Sequence, residues 1–382
     1  MPVSDLAALA SRPCPDWYAK PQLGIFIHWG LFAIPAFAPA GVSIADLFRT
    51  DYDNAMAISP YAEWYWNAMR VSDSPTAKHH ARMYGARPYE AFRADFEAAA
   101  AAFDAEAWAD LFAASGAGYV VLVTKHHDGY CLWPSAVANP YMPGWASRRD
   151  FVGELAEAVR AKGMRFGLYY SGGLDWTFHH IPISNFGDML ACVPTGEDYR
   201  RYASAQVREL ISRYRPSVLW NDIAWPSDAD LPALFADYYA AVPDGVINDR
   251  WLGTASLFEG LREPAARAAF NTMVKGRIAE AGGELDNPPP AHCDFRTVEY
   301  STGEHMGEKK WEACRGLGLA FGYNREERTD DYMTGEQLVA LYRDLTARGG
   351  NLLINVGPMA DATIPEVQQR PLLELGRAIR GR

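Results

Sequence analysis

The sequence predicts an α/β fold, a closed (β/α)8 barrel of the TIM type, on three observations. About eight short apolar runs rich in β-branched or aromatic residues recur along the 382 residues. Amphipathic segments separate most of them, and continuously apolar strands alternating with helices mean a parallel sheet covered by helices. Most runs end in His, Asp, Glu, Arg, Tyr or Trp, which a barrel gathers at one mouth, where barrel enzymes work.

The runs, in order, are Leu23–Trp29, Tyr119–Thr124, Arg165–Tyr170, Ser217–Trp220, Val246–Asn248, a weaker one near Cys293–Phe295, Leu317–Tyr323 and Asn351–Val356. The helical pattern over 104–114 opens on Asp104, a fitting N-cap. In Arg149–Lys162, Phe151, Leu155, Ala158 and Val159 share one stripe and Gly163 ends the helix. Further helices are read over Tyr199–Tyr214, Leu231–Ala240, Thr334–Ala347 and Ile364–Ile379. A doubly wound nucleotide-binding sheet would want G-x-G-x-x-G after an early strand. Instead Gly24 and Gly30 bracket the first strand.

One domain over 1–382 accommodates all of this, with two departures from a minimal barrel. Residues 32–100 form a long excursion after the first strand and include Ser59–Met69, read as a helix entered at Pro60. Residues 252–291 form an insertion with a helical piece over Pro264–Glu280. Following a strand, it belongs on the catalytic face, either as a roof or as a contact in a homo-oligomer.

The net charge of -11 argues against nucleic acid as a partner, which calls for clustered Lys and Arg. Lys309-Lys310 is interspersed with Glu308 and Glu312 and reads as a solvated helix face. Five scattered cysteines without a C-x-x-C argue against a disulfide framework or a zinc knuckle. No stretch approaches a membrane span and the N-terminus lacks signal-peptide character, so the default expectation is a soluble cytoplasmic protein.

Strand ends supply His28-Trp29-Gly30, Lys125-His126-His127-Asp128-Gly129, Tyr169-Tyr170-Ser171-Gly172-Gly173, Trp220-Asn221-Asp222, Asn248-Asp249-Arg250-Trp251 and Asp294 through Glu299. The paired histidines invite a metal, but adjacent strand residues face opposite sides and H-E-x-x-H is missing. Neutral imidazoles donating to sugar hydroxyls are the preferred reading, with no metal. Glycoside hydrolysis needs two carboxyls flanking the bond. Asp222, held by a rigid strand end, suits the nucleophile, and its alternative is a helix cap. Glu63, Glu299, Glu304, Glu308 and Glu312 stay open for the acid. Glu312 sits in a segment that could be a structural helix, whereas Glu299 follows the sixth strand on the expected face. Arg250 is read as a cation steering Asp222 or a sugar hydroxyl, against a plain salt bridge to Asp249 or Asp294.

Taken in order, these clusters resemble glycoside hydrolase family 29, the α-L-fucosidases. The resemblance rests on Trp17-Tyr18, Phe26-Ile27-His28-Trp29-Gly30 with Pro35, Glu63-Trp64-Tyr65, and Lys125-His126-His127-Asp128-Gly129 with Trp133. It continues through Tyr169-Tyr170-Ser171-Gly172-Gly173 with Asp175-Trp176, Leu219-Trp220-Asn221-Asp222 and Asn248-Asp249-Arg250. It closes on Asp294-Phe295-Arg296-Thr297-Val298-Glu299-Tyr300, Trp311-Glu312, Phe321-Gly322-Tyr323-Asn324 and the stretch Asn351 to Pro358.

The resemblance implies a retaining exo-glycosidase acting on terminal α-L-fucose of an oligosaccharide or glycoconjugate. Asp222 would be the nucleophile and Glu299 the general acid/base. Substrate positions would fall to His28, Glu63, His126, His127, Trp133, one or both of Tyr169 and Tyr170, Trp220, Arg250 and Phe321. Phe26, Trp220 and Phe321 are candidates for an apolar wall against the fucose methyl, and no cofactor is implied. A hydrolase of another L-sugar such as L-galactose, a transglycosidase, and a non-catalytic sugar-binding barrel are the rivals. Family members commonly carry a β-sandwich after the barrel. Here the chain ends at Arg382, which reads as a barrel without it or as a shortened chain. The 252–291 insertion also lies between Arg250 and Glu299, on the loop that must deliver the acid.

Overall fold

The computed structural model describes residues 6–9, 12–280, 290–301, 303 and 309–381. Eight parallel strands make one curled sheet: Leu23–Ile27 (β1), Tyr119–Lys125 (β2), Arg165–Tyr170 (β3), Val218–Asn221 (β4), Val246–Ile247 (β5), Arg296–Glu299 (β6), Trp311–Gly316 (β7) and Asn351–Val356 (β8). Ladder neighbours run β5-β4-β3-β2-β1-β8-β7-β6, and helices surround the sheet as in a (β/α)8 TIM-like barrel. No ladder joins β5 to β6. The seam is bridged instead by the Asp294 backbone N–H, which donates to the Ile247 carbonyl at 2.9 Å, and by the Asp294 carboxylate, which accepts from the Ile247 N–H at 2.8 Å. Arg12 and the Tyr239 hydroxyl hold the same carboxylate.

Helix starts follow the capping residues. Asp104 accepts from the Ala107 N–H and Asp150 from the Gly153 N–H. Thr334 and Gln337 cap reciprocally ahead of Gly335–Ala347. Inside the barrel, large and small residues interlock. The Tyr119 ring lies so close over Gly24 that a Cβ there would sit 2.3 Å from it. The glycine is a packing requirement of the barrel floor.

Five expectations need correction. The seventh strand is Trp311–Gly316, not Leu317–Tyr323, which instead loops over the mouth. Its inward residue is the carboxylate Glu312, satisfied by buried donors, so the strand lacks an apolar signature. Glu312 is thus on a strand rather than a helix, and Lys309-Lys310 leads into that strand instead of forming a helix face. The sixth strand begins at Arg296, just beyond Cys293–Phe295. Ser59–Met69 is two short turns, Ala62–Trp64 and Tyr65–Ala68. Glu304, Glu308 and the 281–289 part of the insertion lie outside the described residues.

The helix Pro264–Glu280 forms as expected. Val274 and Ile278, one turn apart, pack with Tyr52, Phe48, Phe186 and Phe270. Asn271 accepts from the Tyr52 hydroxyl and the Gly187 N–H, both at 2.9 Å. The insertion therefore rests on the loops that follow β1 and β3. Among the described residues no helix is long and apolar enough to cross a membrane.

Candidate active site

At the end of β4 the strand phase turns Trp220 inward and Asn221 outward, and the next residue is Asp222. The turn that follows is tight. The Ala224 N–H donates to the Asp222 carbonyl at 2.8 Å across Ile223, whose φ is 65°. A β-branched residue in the left-handed region is strained, and such strain gathers at functional sites. The Ile223 N–H donates to Asp222 Oδ1 at 2.8 Å, fixing the carboxylate's rotation. Gly173 backs the turn, because a Cβ there would lie 2.4 Å from the Ala224 nitrogen.

Asp222 Oδ2 accepts from the Tyr169 hydroxyl at 2.7 Å and lies 3.8 Å from His127 Nε2. Oδ1 takes Arg250 Nη1 at 3.0 Å. The same guanidinium reaches Glu299 Oε1 through Nη2 at 2.7 Å, and its face lies over the Trp220 ring at 4.9 Å. Arg250 thus spans the two carboxyls and pairs with neither Asp249 nor Asp294. Asp249 is occupied by the Thr297 N–H and hydroxyl and by Arg296, which anchors β6 where it can deliver Glu299. Burial pushes the Glu299 carboxyl up; Arg250 opposes this and the nearby Asp222 charge adds to it.

Neutral groups surround this pair. Burial drives His28 down to about 4 and holds His126 and His127 well below the ordinary histidine range. Their ring protons can be located from their partners. His28 Nδ1 donates to Asn355 Oδ1 at 2.7 Å. The Ser171 hydroxyl spends its hydrogen on the Leu174 carbonyl, so His127 Nδ1 must donate to Ser171 Oγ at 2.6 Å. Both rings therefore carry a bare Nε2, an acceptor rather than the donor expected from the sequence. Buried His126 Nδ1 has no protein partner among the described residues. Desolvation raises Glu63 to about 8, so it is protonated at neutral pH while Oε2 accepts from the Gly322 N–H at 2.8 Å.

An apolar wall completes the pocket. Phe26 lies 5.3 Å from Trp220 and 6.4 Å from Phe321, and Phe321 lies 4.9 Å from His28. His126 and His127 both face the site, their rings 4.0 Å apart, because β2 ends at Lys125 and a turn replaces strand alternation there.

Two expected residues turn away. Tyr170 alternates outward from Tyr169, donates to Gln206 on the helix Glu197–Tyr214, and carries the Lys125 ammonium over its ring. Trp133 donates to Glu209 on that same helix. Glu312 is also excluded as the acid. Its carboxylate is wholly buried and accepts from Tyr18, Tyr119 and Trp220. Sequence reasoning missed Asn355, Ser171 and Thr297, each marked only as a polar residue at or just past a strand, and Trp64, whose ring lies 4.9 Å from His127.

A barrel mouth holding two carboxyls on one guanidinium, neutral imidazoles and an apolar wall has the parts of a glycoside hydrolase site. The family model described as Alpha-L-fucosidase matches residues 3–380. An α-L-fucosidase of Dictyostelium discoideum is 32% identical over 384 residues, covering 96% of this chain and 70% of that protein. The human plasma α-L-fucosidase is 32% identical over 383 residues, covering 97% and 68%. The crystal structure of Thermotoga maritima α-fucosidase superposes with a TM-score of 0.79 at 40% identity, covering 98% of this chain and 76% of that one. A Thermotoga maritima α-L-fucosynthase in complex with α-L-Fuc-(1-2)-β-L-Fuc-N3 gives 0.82 at 39% identity, covering 100% and 78%.

The chain belongs to the α-L-fucosidase family, glycoside hydrolase family 29. It is a glycoside hydrolase, and membership carries a retaining exo-glycosidase mechanism run by an Asp/Glu pair on a fucoside.

Proposed function

We propose that Asp222 is the nucleophile and Glu299 the general acid/base for hydrolysis of terminal α-L-fucosides of oligosaccharides or glycoconjugates. The observation that carries this reading is the Arg250 guanidinium shared by the two carboxyls. Two carboxyls held by one guanidinium suit a pair that must flank one bond. In the first step an Asp222 oxygen bonds to the anomeric carbon as the glycosidic C–O bond breaks. The Glu299 proton passes to the leaving oxygen, and the aglycone departs as an alcohol. In the second step the Glu299 carboxylate takes a proton from water, whose oxygen attacks the same carbon and expels Asp222. Two inversions retain configuration.

Charge explains why one group serves both steps. While Asp222 is ionised, its charge helps keep Glu299 protonated. Once Asp222 is esterified that charge is gone, Arg250 dominates, and Glu299 is released as a base. The bare Nε2 atoms of His28 and His127 would accept from sugar hydroxyls, and protonated Glu63 would donate. The wall of Phe26, Trp220 and Phe321 favours a methyl substituent over a hydroxymethyl, which would need a hydrogen-bond partner when buried.

Azide rescue with an aryl α-L-fucoside tests the two roles. Asp222→Gly should give the inverted β-fucosyl azide and Glu299→Ala the retained α-fucosyl azide. Interchanged products would reverse the assignment.

A further inference from the structure

Beneath the sugar pocket lies a third carboxyl that the two steps above do not use. Glu312 stands on β7 inside the barrel, fully enclosed. It accepts from the Tyr18 hydroxyl at 2.7 Å, from the Tyr119 hydroxyl, and from Trp220 Nε1 at 3.1 Å. A buried carboxyl is costly unless fully hydrogen-bonded, and here both oxygens are engaged. Two of the three donors belong to the barrel floor. The third belongs to the ring that touches both supports of the proposed nucleophile.

Trp220 packs nearly parallel to Tyr169, with centroids 5.6 Å apart and planes inclined by 20°, and Tyr169 donates to Asp222. It also carries the Arg250 guanidinium on its ring, 4.9 Å from the centroid, and Arg250 holds Asp222 and Glu299. Packing against Phe26 and Tyr169 holds the buried Trp220 in one rotamer, and small tilts of the ring within that well remain. An acceptor at Nε1 fixes the ring plane.

We infer that Glu312 is a positioning residue that acts through Trp220: by pinning the indole, it sets Arg250 and Tyr169 on the nucleophile. The inference rests on the proposed role of Asp222. Glu312 does not contact that carboxylate, and its side chain is wholly enclosed by protein. Its removal should therefore slow the chemical step while leaving ground-state binding largely intact.

The test is steady-state kinetics on an aryl α-L-fucoside for Glu312→Gln, Tyr119→Phe, Tyr18→Phe and the Tyr18→Phe/Tyr119→Phe pair, each with its melting temperature. Glu312→Gln keeps the shape but replaces one acceptor oxygen with an NH2 group, so the three donors no longer all find an acceptor in their present geometry. We expect kcat lower by about 10- to 100-fold, the scale for misplacing a catalytic array from a distance, with KM within about twofold. The tyrosine variants remove floor donors without touching the link to Trp220. They should lower the melting temperature and hold kcat within about threefold, which tests the inference even if Glu312→Gln does not fold. In a Trp220→Phe background, Glu312→Gln should cost almost nothing more. Equal losses of kcat in the glutamine and tyrosine variants, or an undiminished loss in the Trp220→Phe background, would reduce Glu312 to a stability role and overturn the inference. Failure of the Asp222 reading shows separately, as retained activity in Asp222→Gly.

Discussion

Replacing Arg250 with methionine separates two jobs that the guanidinium combines. It binds Asp222 Oδ1 at 3.0 Å and Glu299 Oε1 at 2.7 Å, in a side chain only 11% exposed. Charge-assisted hydrogen bonds contribute about 1.5–3 kcal/mol each. Loss of the one to Asp222 alone should cost about 10- to 100-fold in kcat/KM at the optimum. The second effect is on pH. Burial raises the Glu299 carboxyl, the Asp222 charge raises it further, and Arg250 is the opposing influence. An adjacent cation typically lowers a carboxyl by about 1–3 pH units. Removing it frees Glu299 to climb, and as the proposed general acid must be protonated to act, the basic limb of the profile should move upward. The assay is kcat/KM for an aryl α-L-fucoside across the pH range of the folded variant, checked by circular dichroism at each end. A rate loss with an unmoved basic limb would mean that Arg250 serves the sugar and not Glu299. A downward shift would contradict the electrostatic reasoning outright.

Two further outcomes follow from the same geometry. Glu63 is raised by burial to about 8, so the folded state holds its proton more tightly than the unfolded chain. Its stabilising contribution is complete below the ordinary carboxyl range and lost as pH rises to about 8. Thermal melts should show that fall in the wild type and a flatter curve in Glu63→Gln; parallel curves would contradict the buried protonated state. Gly173→Ala would drive a Cβ to 2.4 Å from the Ala224 nitrogen, behind the strained turn at Ile223. We expect a destabilisation of about 1–3 kcal/mol by denaturant titration. A kcat loss should accompany it, and full activity would show that the turn does not set Asp222.

Much of this was legible because the barrel repeats one local rule. Apolar runs gave β1 to β5 and β8, and the polar residue after each run named Asp222, Arg250 and the histidines. Where a strand broke the rule, the reading broke with it. In β7 the inward residue is Glu312, and no local pattern reveals that its partners wait on Tyr18, Tyr119 and Trp220. Phase decided other cases. Tyr169 and Tyr170 are equivalent in sequence until the strand assigns one to the mouth and the other to Gln206. His126 and His127 escape that alternation only because the strand ends at Lys125. The bridging of Asp222 and Glu299 by Arg250 depends on β5 and β6 lying side by side across an insertion, a long-range fact that spacing does not contain. Tautomers likewise needed a third partner, as when Ser171 donates to Leu174 and so fixes the proton on His127.

The most direct measurement is covalent trapping of the wild-type enzyme with 2-deoxy-2-fluoro-L-fucosyl fluoride, followed by peptide mapping. Fluorine at C2 slows both steps by destabilising the oxocarbenium-like transition state, while fluoride leaves readily, so the fucosylated enzyme accumulates. One label, on the peptide carrying Asp222 and assigned to that residue by fragmentation, is the expected result. A label on Glu299 or on any other side chain would contradict Asp222 as the nucleophile.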